Sequence, residues 1–190
     1  MNRAPLDVGR AFVAGGARVI QIRAKTWGSG PFLELAQKLG EDARAVRATV
    51  IVNDRADIAA IAGLGVHVGQ EDLPAAEARK LVGDRLVGLS THTDEQMKAA
   101  VHEPVSYIAV GPVFGTTTKD TGYQAIGLER VRHAAAIVSR DGLPLVAIGG
   151  ITHDRARSVI DAGADSVAII SDLVAGNPEE RVRLLLAALS

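Results

Sequence analysis

The sequence predicts an α/β fold in which strands and helices alternate from one end to the other. Short β-branched runs recur between longer Ala/Leu/Arg segments with helical spacing. Some of the strand runs, such as Leu145-Val146-Ala147-Ile148, have no polar face, which is the pattern of a parallel-sheet strand covered by helices on both sides. Repeated strand-then-helix units suit either a (β/α)8 barrel or an open doubly wound sheet.

In chain order, a helical pattern over 6–15 comes first, followed by a strand at 17–23 and a long amphipathic helix at 31–46. The units 49–53 with 55–62, 65–69 with 74–82, and 86–90 with 94–101 repeat the alternation. A strand at 107–110 then precedes a helix at 127–140, a strand at 144–148 a helix at 153–162, and a strand at 166–170 a helix at 178–189. This makes seven strands and eight helices, beginning on a helix. A barrel has eight strands, so on this count the first strand is missing. No linker, low-complexity tract or charge block divides the chain, so residues 1–190 read as one domain.

Composition removes several function classes. Among 190 residues there is no cysteine, which excludes disulfides, thiolate catalysis and Cys-based metal sites. Net charge is −1 with both signs interspersed, so no basic footprint for nucleic acid is present, and 3% aromatics give few stacking platforms. The longest apolar runs, such as Leu184 to Leu189, fall far short of the ~20 residues that span a bilayer. The start, Met1-Asn2-Arg3-Ala4-Pro5, leads into an amphipathic segment and not an apolar signal region. The expectation is a cytoplasmic protein with no nucleic-acid or membrane partner, with a homo-oligomer left open.

In parallel α/β folds chemistry gathers beyond the carboxyl ends of strands, and polar residues collect there in this sequence. Gln21, Arg23 and Lys25 alternate, which puts all three on one face of an extended segment; the two cations would suit a phosphate or diphosphate, and the alternative is a solvated strand end. Asn53-Asp54 follows the next strand and Asp72 the one after. Each aspartate by itself could be a helix cap, but two on neighbouring strand ends suit a hard divalent ion such as Mg²⁺. Ser90 ends a further strand, while Thr93 reads as the cap of the following helix. The run Val110-Gly111-Pro112-Val113-Phe114-Gly115 leads into Thr116-Thr117-Thr118-Lys119, which is either an ordinary polar loop or an anion grip. Gly149-Gly150 and Ile170-Ser171 close the last two strands, where barrels commonly hold phosphate. The five histidines show no metal-ligand spacing. His67, inside a strand, reads as a satisfied core residue, and Trp27 has no assigned role.

Seven of these segments, taken together and in order, resemble the thiamine-phosphate synthase family, which also includes thiazole tautomerases. They are Q-I-R-A-K at 21–25, V-N-D at 52–54, G-V-H-V-G-Q-E-D-L at 65–73, G-L-S-T-H-T at 88–93, G-P-V-F-G-T-T-T-K at 111–119, I-G-G-I at 148–151 and I-S at 170–171. The resemblance spans nearly the whole chain. It implies a (β/α)8 TIM barrel and a transferase of thiamine biosynthesis, joining hydroxymethylpyrimidine diphosphate to a thiazole phosphate and releasing diphosphate. It further implies that Gln21, Arg23, Lys25, Asn53, Ser90 and Lys119 hold the pyrimidine diphosphate, and that Asp54 and Asp72 hold Mg²⁺. Thr116, Thr117, Thr118, Gly150, Ile170 and Ser171 would hold the thiazole phosphate. Arg23, Lys25 and Lys119 would stabilise charge on the leaving group. No nucleophile or strong general base is evident, and this chemistry requires neither.

The sequence departs from the family in lacking the strand that precedes the first helix. Two other functions compete with the transferase. A thiazole tautomerase would carry histidine at the position of Pro112 and would generally lack the two metal aspartates. A non-catalytic phosphate-ligand binder on the same barrel is the second. Other phosphate-binding barrels would share the Gly-Gly cup but not the Q-x-R-x-K, N-D and T-T-T-K set.

Overall fold

A computed structural model describes residues 3–115 and 124–190. Its elements run α1 (Pro5–Ala14), β1 (Val19–Ile22), α2 (Ser29–Ala45), β2 (Thr49–Asn53), α3 (Ala56–Ala62), β3 (Gly65–Val68), α4 (Ala75–Val82), β4 (Val87–Thr91), α5 (Asp94–Ala100) and β5 (Tyr107–Val110). Then come α6 (Gly127–Val138), a 3-10 turn (Ser139–Asp141), β6 (Leu145–Ile148), α7 (His153–Asp161), β7 (Ser166–Ala168), α8 (Ser171–Val174) and α9 (Pro178–Leu189). Local chemistry sets several ends. The Thr93 hydroxyl accepts from Gln96 N at 3.3 Å and caps α5, as its position after β4 predicts. Asn177 caps α9 by accepting from Glu179 N at 3.2 Å, with Pro178 at the first helical position.

All seven strands are parallel and pair in sequential order from β1 to β7. An open doubly wound sheet reverses its strand order at a switch point, and this sheet does not. The order is that of a barrel, curled but unclosed: among the described residues no pairing joins β7 to β1. The outer layer does close there. Tight packing joins α1 to α9, since a Cβ on Gly15 would lie 2.6 Å from Glu179 O and 2.7 Å from Val182 Cβ. On its other side α1 packs on α2, where Gly9 sits against Leu39. The helix ring is continuous around a sheet one strand short of a full barrel.

Strand alternation divides the side chains into two sets. Ile20, Ile22, Val50, Val52, Val66 and Val68 point outward and join Phe32, Leu39, Ile58 and other helix residues in the main core. The alternate positions line the inside of the curl. Val19, at 57% exposure, and Gln21 line it on the open edge strand, and Tyr107 lines it on β5.

Three expectations change. The run 145–148 is not buried on both sides: Leu145 and Ala147 are buried, but Val146 and Ile148 are only half-buried, because their face looks into the open interior and not onto helices. Several strands end sooner than their β-branched runs, most clearly 166–170, where pairing stops at Ala168. The predicted eight helices become nine α-helices and one 3-10 turn among the described residues, because Ile170 and Ser171 turn into the short α8.

Candidate active site

The parallel sheet delivers the carboxyl ends of its strands to one rim, and the sequence-predicted polar residues stand there. Arg23 and Lys25 leave β1, Asn53 ends β2 with Asp54 next, Asp72 lies past β3, and Ser90 is within β4. The Lys25 Nζ is 3.0 Å from Asp54 Oδ2. The Asp54 and Asp72 side chains are neighbours, although the two come from loops after different strands. Asp72 Oδ2 also accepts from Gly69 N at 2.8 Å.

Burial pushes the Asp72 carboxyl above its ordinary range, and the Asp54 charge beside it adds to this, against the pull of the Gly69 N–H. Burial acts on Asp54 in the same direction. The Lys25 ammonium, the Asp72 hydrogen bond and the Arg23 charge outweigh it and hold Asp54 below the usual carboxylate range. Two carboxyl groups thus stand side by side, with two cations alongside. Helix capping is not their role here: no side chain caps α3, whose first flanking residue is Arg55, and Asp54 itself takes a left-handed φ of 62°.

Such a pair fits a hard divalent ion. Oxygen donors suit Mg²⁺, which typically takes one or two carboxylates and completes its shell with phosphate oxygens and water. Among the described residues no group of three or more His, Asp or Glu side chains could hold a metal, so the remaining ligands would come from substrate and solvent.

A cleft beside this pair is lined by Ala24, Lys25, Trp27, Phe32, Asn53, Asp54 and Arg55. Trp27, unassigned from sequence, is one of its walls. The Arg55 guanidinium is held on Asp57 and on Ser29 Oγ at 3.0 Å.

The opposite part of the rim forms a backbone cup. Gly149 and Gly150 have φ of 100° and 63°, conformations that L side chains rarely adopt. A Cβ on Gly150 would lie 2.6 Å from Gly115 O and 2.8 Å from Phe114 Cβ. Val113 N and Phe114 N donate to Ile148 O and Gly149 O, each at 2.9 Å, so the chain after β5 is fastened to the chain after β6. Arg155 lies over the Phe114 ring at 4.8 Å and donates to Gly150 O at 3.3 Å. Next to this, Ile170 and Ser171 open α8, a short extra helix after the last strand, which is the element that holds phosphate in many barrels. The predicted anion grip, Thr116, Thr117, Thr118 and Lys119, lies outside the described residues; its entrance at Gly115 abuts Gly150.

Sequence reasoning missed one polar group altogether. Tyr107 Oη is 2.8 Å from His67 Nδ1, and His67 Nε2 is 2.8 Å from Ser90 Oγ. His67, at 7% exposure, is the satisfied buried histidine that its strand position predicts, but one of its partners, Ser90, is a predicted site residue. The available signal was register: His67 and Tyr107 both pair with Gly88, which puts all three on the inward face.

These features define a class, a curled parallel α/β sheet of barrel type with basic and acidic side chains gathered at one rim. A family model described as Thiamine monophosphate synthase matches residues 2–173. A thiamine-phosphate synthase of Koribacter versatilis is 45% identical over 174 residues, covering 90% of this chain and 80% of the relative. One from Chloroflexus aurantiacus is 42% identical over 168 residues, covering 88% and 76%. The solved thiamine phosphate pyrophosphorylase of Pyrococcus furiosus superimposes with a TM-score of 0.90 at 30% identity, covering 98% of this chain and 90% of that one. The chain belongs to the thiamine monophosphate synthase family.

Proposed function

We propose that this chain is a transferase joining hydroxymethylpyrimidine diphosphate to a thiazole phosphate, with thiamine phosphate and diphosphate as products. The observation that carries the reading is the contact of Asp54 with Asp72 beside Lys25 and Arg23 at one rim. That cluster suits a leaving diphosphate, on which negative charge grows as the bond to carbon breaks. Lys25 and Arg23, with Lys119, stabilise that charge, and Asn53 and Ser90 orient the group. Asp54 and Asp72 would hold Mg²⁺, which would supply Lewis-acid neutralisation of the diphosphate charge. Direct contact between carboxylates and diphosphate would be repulsive, so the two aspartates serve only with a cation between.

The Gly149–Gly150 cup and the start of α8 hold the thiazole phosphate through backbone N–H groups, helped by Thr116, Thr117, Thr118 and Ser171. The partners are two small molecules placed on opposite parts of one rim. Carbon–oxygen cleavage leaves a pyrimidine cation, and the thiazole nitrogen captures it with its lone pair. The protein's task is alignment and exclusion of water, which needs no protein nucleophile. Pro112, at the position where a tautomerase would carry a basic side chain, and the pair Asp54–Asp72 favour joining over tautomerisation. No helix among the described residues is long and apolar enough to cross a membrane.

Incubation with both substrates and Mg²⁺, and with each alone, tests this. Thiamine phosphate should form only from the pair. Isomerisation of the thiazole phosphate alone, with no joined product, would replace the proposal by the tautomerase.

A further inference from the structure

We propose that Asp172 and Arg181 are positioning residues for the phosphate cup. Asp172 ties the two walls of the cup together through one carboxylate, and Arg181 cancels the charge that this tie would otherwise set beside a bound phosphate dianion. The proposal rests on the reading of Gly149–Gly150 and Ser171 as the seat of the thiazole phosphate in the transferase above.

The two walls come from different units of the fold. Gly149 and Gly150 lead through Ile151 and Thr152 into α7, while Ile170 and Ser171 open α8. Thr152 stands at the N-cap of α7, but its side chain makes no capping bond. The first amide of that helix, His153 N, donates instead to Asp172 Oδ2 at 3.1 Å. Asp172 is the residue after Ser171, so this one bond fixes the start of α7 against the start of α8. A carboxylate suits the task, because free N–H groups at a helix start attract negative charge.

The tie carries an electrostatic penalty. It places a carboxylate, 18% exposed, one residue from a hydroxyl that faces an anion. Arg181 grips Asp172 at two points. Its Nη2 pairs with Asp172 Oδ1, and its Nε donates to the Asp172 carbonyl at 3.0 Å, which also holds α8 on α9. Local helix chemistry runs against a cation at this point of α9. Asn177 caps the helix, Pro178 is its first residue and Glu179 and Glu180 follow, so Arg181 stands near the end where the helix dipole favours acids. Its placement is explained by Asp172: a fixed, neutral pair stands where a bare anion would repel the ligand.

Calorimetric titration of the native protein and its variants with the thiazole phosphate, and separately with the pyrimidine diphosphate and Mg²⁺, tests this. Arg181→Gln bares the Asp172 charge and should weaken thiazole phosphate binding ~5-fold, the scale of one charge acting on a dianion through partly screened surroundings. Asp172→Asn keeps an acceptor for His153 N without the charge, and should tighten binding by a similar factor. The double variant should return to within ~2-fold of native, because the two charge effects cancel. Arg181→Lys, which keeps the charge, should bind more tightly than Arg181→Gln. The Arg181→Gln loss should shrink as salt is raised, and the pyrimidine diphosphate should bind every variant as it binds the native protein. A merely structural clamp predicts otherwise: both single variants weaken binding, the double is no better, and salt changes nothing. Any of these results, an unaltered Arg181→Gln, or equal losses for both ligands overturns the proposal. Asp172→Asn decides it alone if Arg181→Gln does not fold. Native protein that binds the thiazole phosphate without joining it defeats only the transferase reading; native protein that does not bind it overturns the cup and this proposal together.

Discussion

Replacing Asp54 by asparagine separates metal binding from structure, because the two roles predict effects of different size. Asparagine tolerates the left-handed φ of 62° at this position and keeps the side chain's shape, so only charge is removed. The Lys25–Asp54 pair lost is 3.0 Å long but 53% exposed on the lysine side. Such a pair contributes roughly 0.2–1 kcal/mol after screening. The substitution also relieves the Asp72 carboxylate of a like charge, which offsets part of even that loss. Net stability should therefore change by under about 1 kcal/mol, or a few degrees in Tm for a chain of this length. Turnover should fall by about 10²–10³-fold, the scale of one lost charge-stabilising group in a transition state. Asp72→Asn should behave alike, and the double variant should be little worse than either single, since both act through one ion. Turnover against Mg²⁺ concentration, beside thermal melts of the three variants, reads all of this. Native-like Mg²⁺ dependence with clearly lowered melts would refute the metal site and return both aspartates to a structural role.

Asp72 carries a pH prediction of its own. Its folded pKa is raised, so its stabilising contribution is complete below the ordinary carboxylate range and is lost as pH rises through the folded value. Without Mg²⁺, Asp72→Asn should melt higher than the native protein at neutral pH, and the gain should vanish in acid. Asp54 is lowered, so its contribution runs oppositely and fades as pH falls through its folded value. Gly150→Ala adds a side chain at φ 63° against Gly115 O, and should raise KM for the thiazole phosphate with little change for the pyrimidine diphosphate. Because among the described residues β1 and β7 each pair on one side only, their amides should exchange with deuterium faster than those of β3 to β5. Uniform protection across the seven strands would mean that the open edge is covered.

The alternation of elements was legible because each strand carries a β-branched run and each helix its own spacing, and the rim residues were legible because polar groups cluster after strands. Barrel and doubly wound sheet could not be separated by periodicity, since both use the same unit; pairing order decided between them. The half-burial of Val146 and Ile148 was hidden for a related reason: an apolar residue facing an open interior looks like one facing a helix. Asp54 illustrates the harder limit. Its position before a helix predicts a cap as readily as a ligand, and only the contact with Asp72, brought over from the next strand's loop, distinguishes the two. The hydrogen bonds from Tyr107 through His67 to Ser90 join residues on three strands, and no local pattern announces them.

Phosphorus NMR of the full reaction, with Mg²⁺ and then with EDTA, tests the central claim most directly. The account predicts that thiamine phosphate and inorganic diphosphate appear in equal amounts as both substrates disappear, and that chelation stops both together. Persistence of both substrates in the presence of Mg²⁺ and folded protein, or joining that continues undiminished under EDTA, would contradict it.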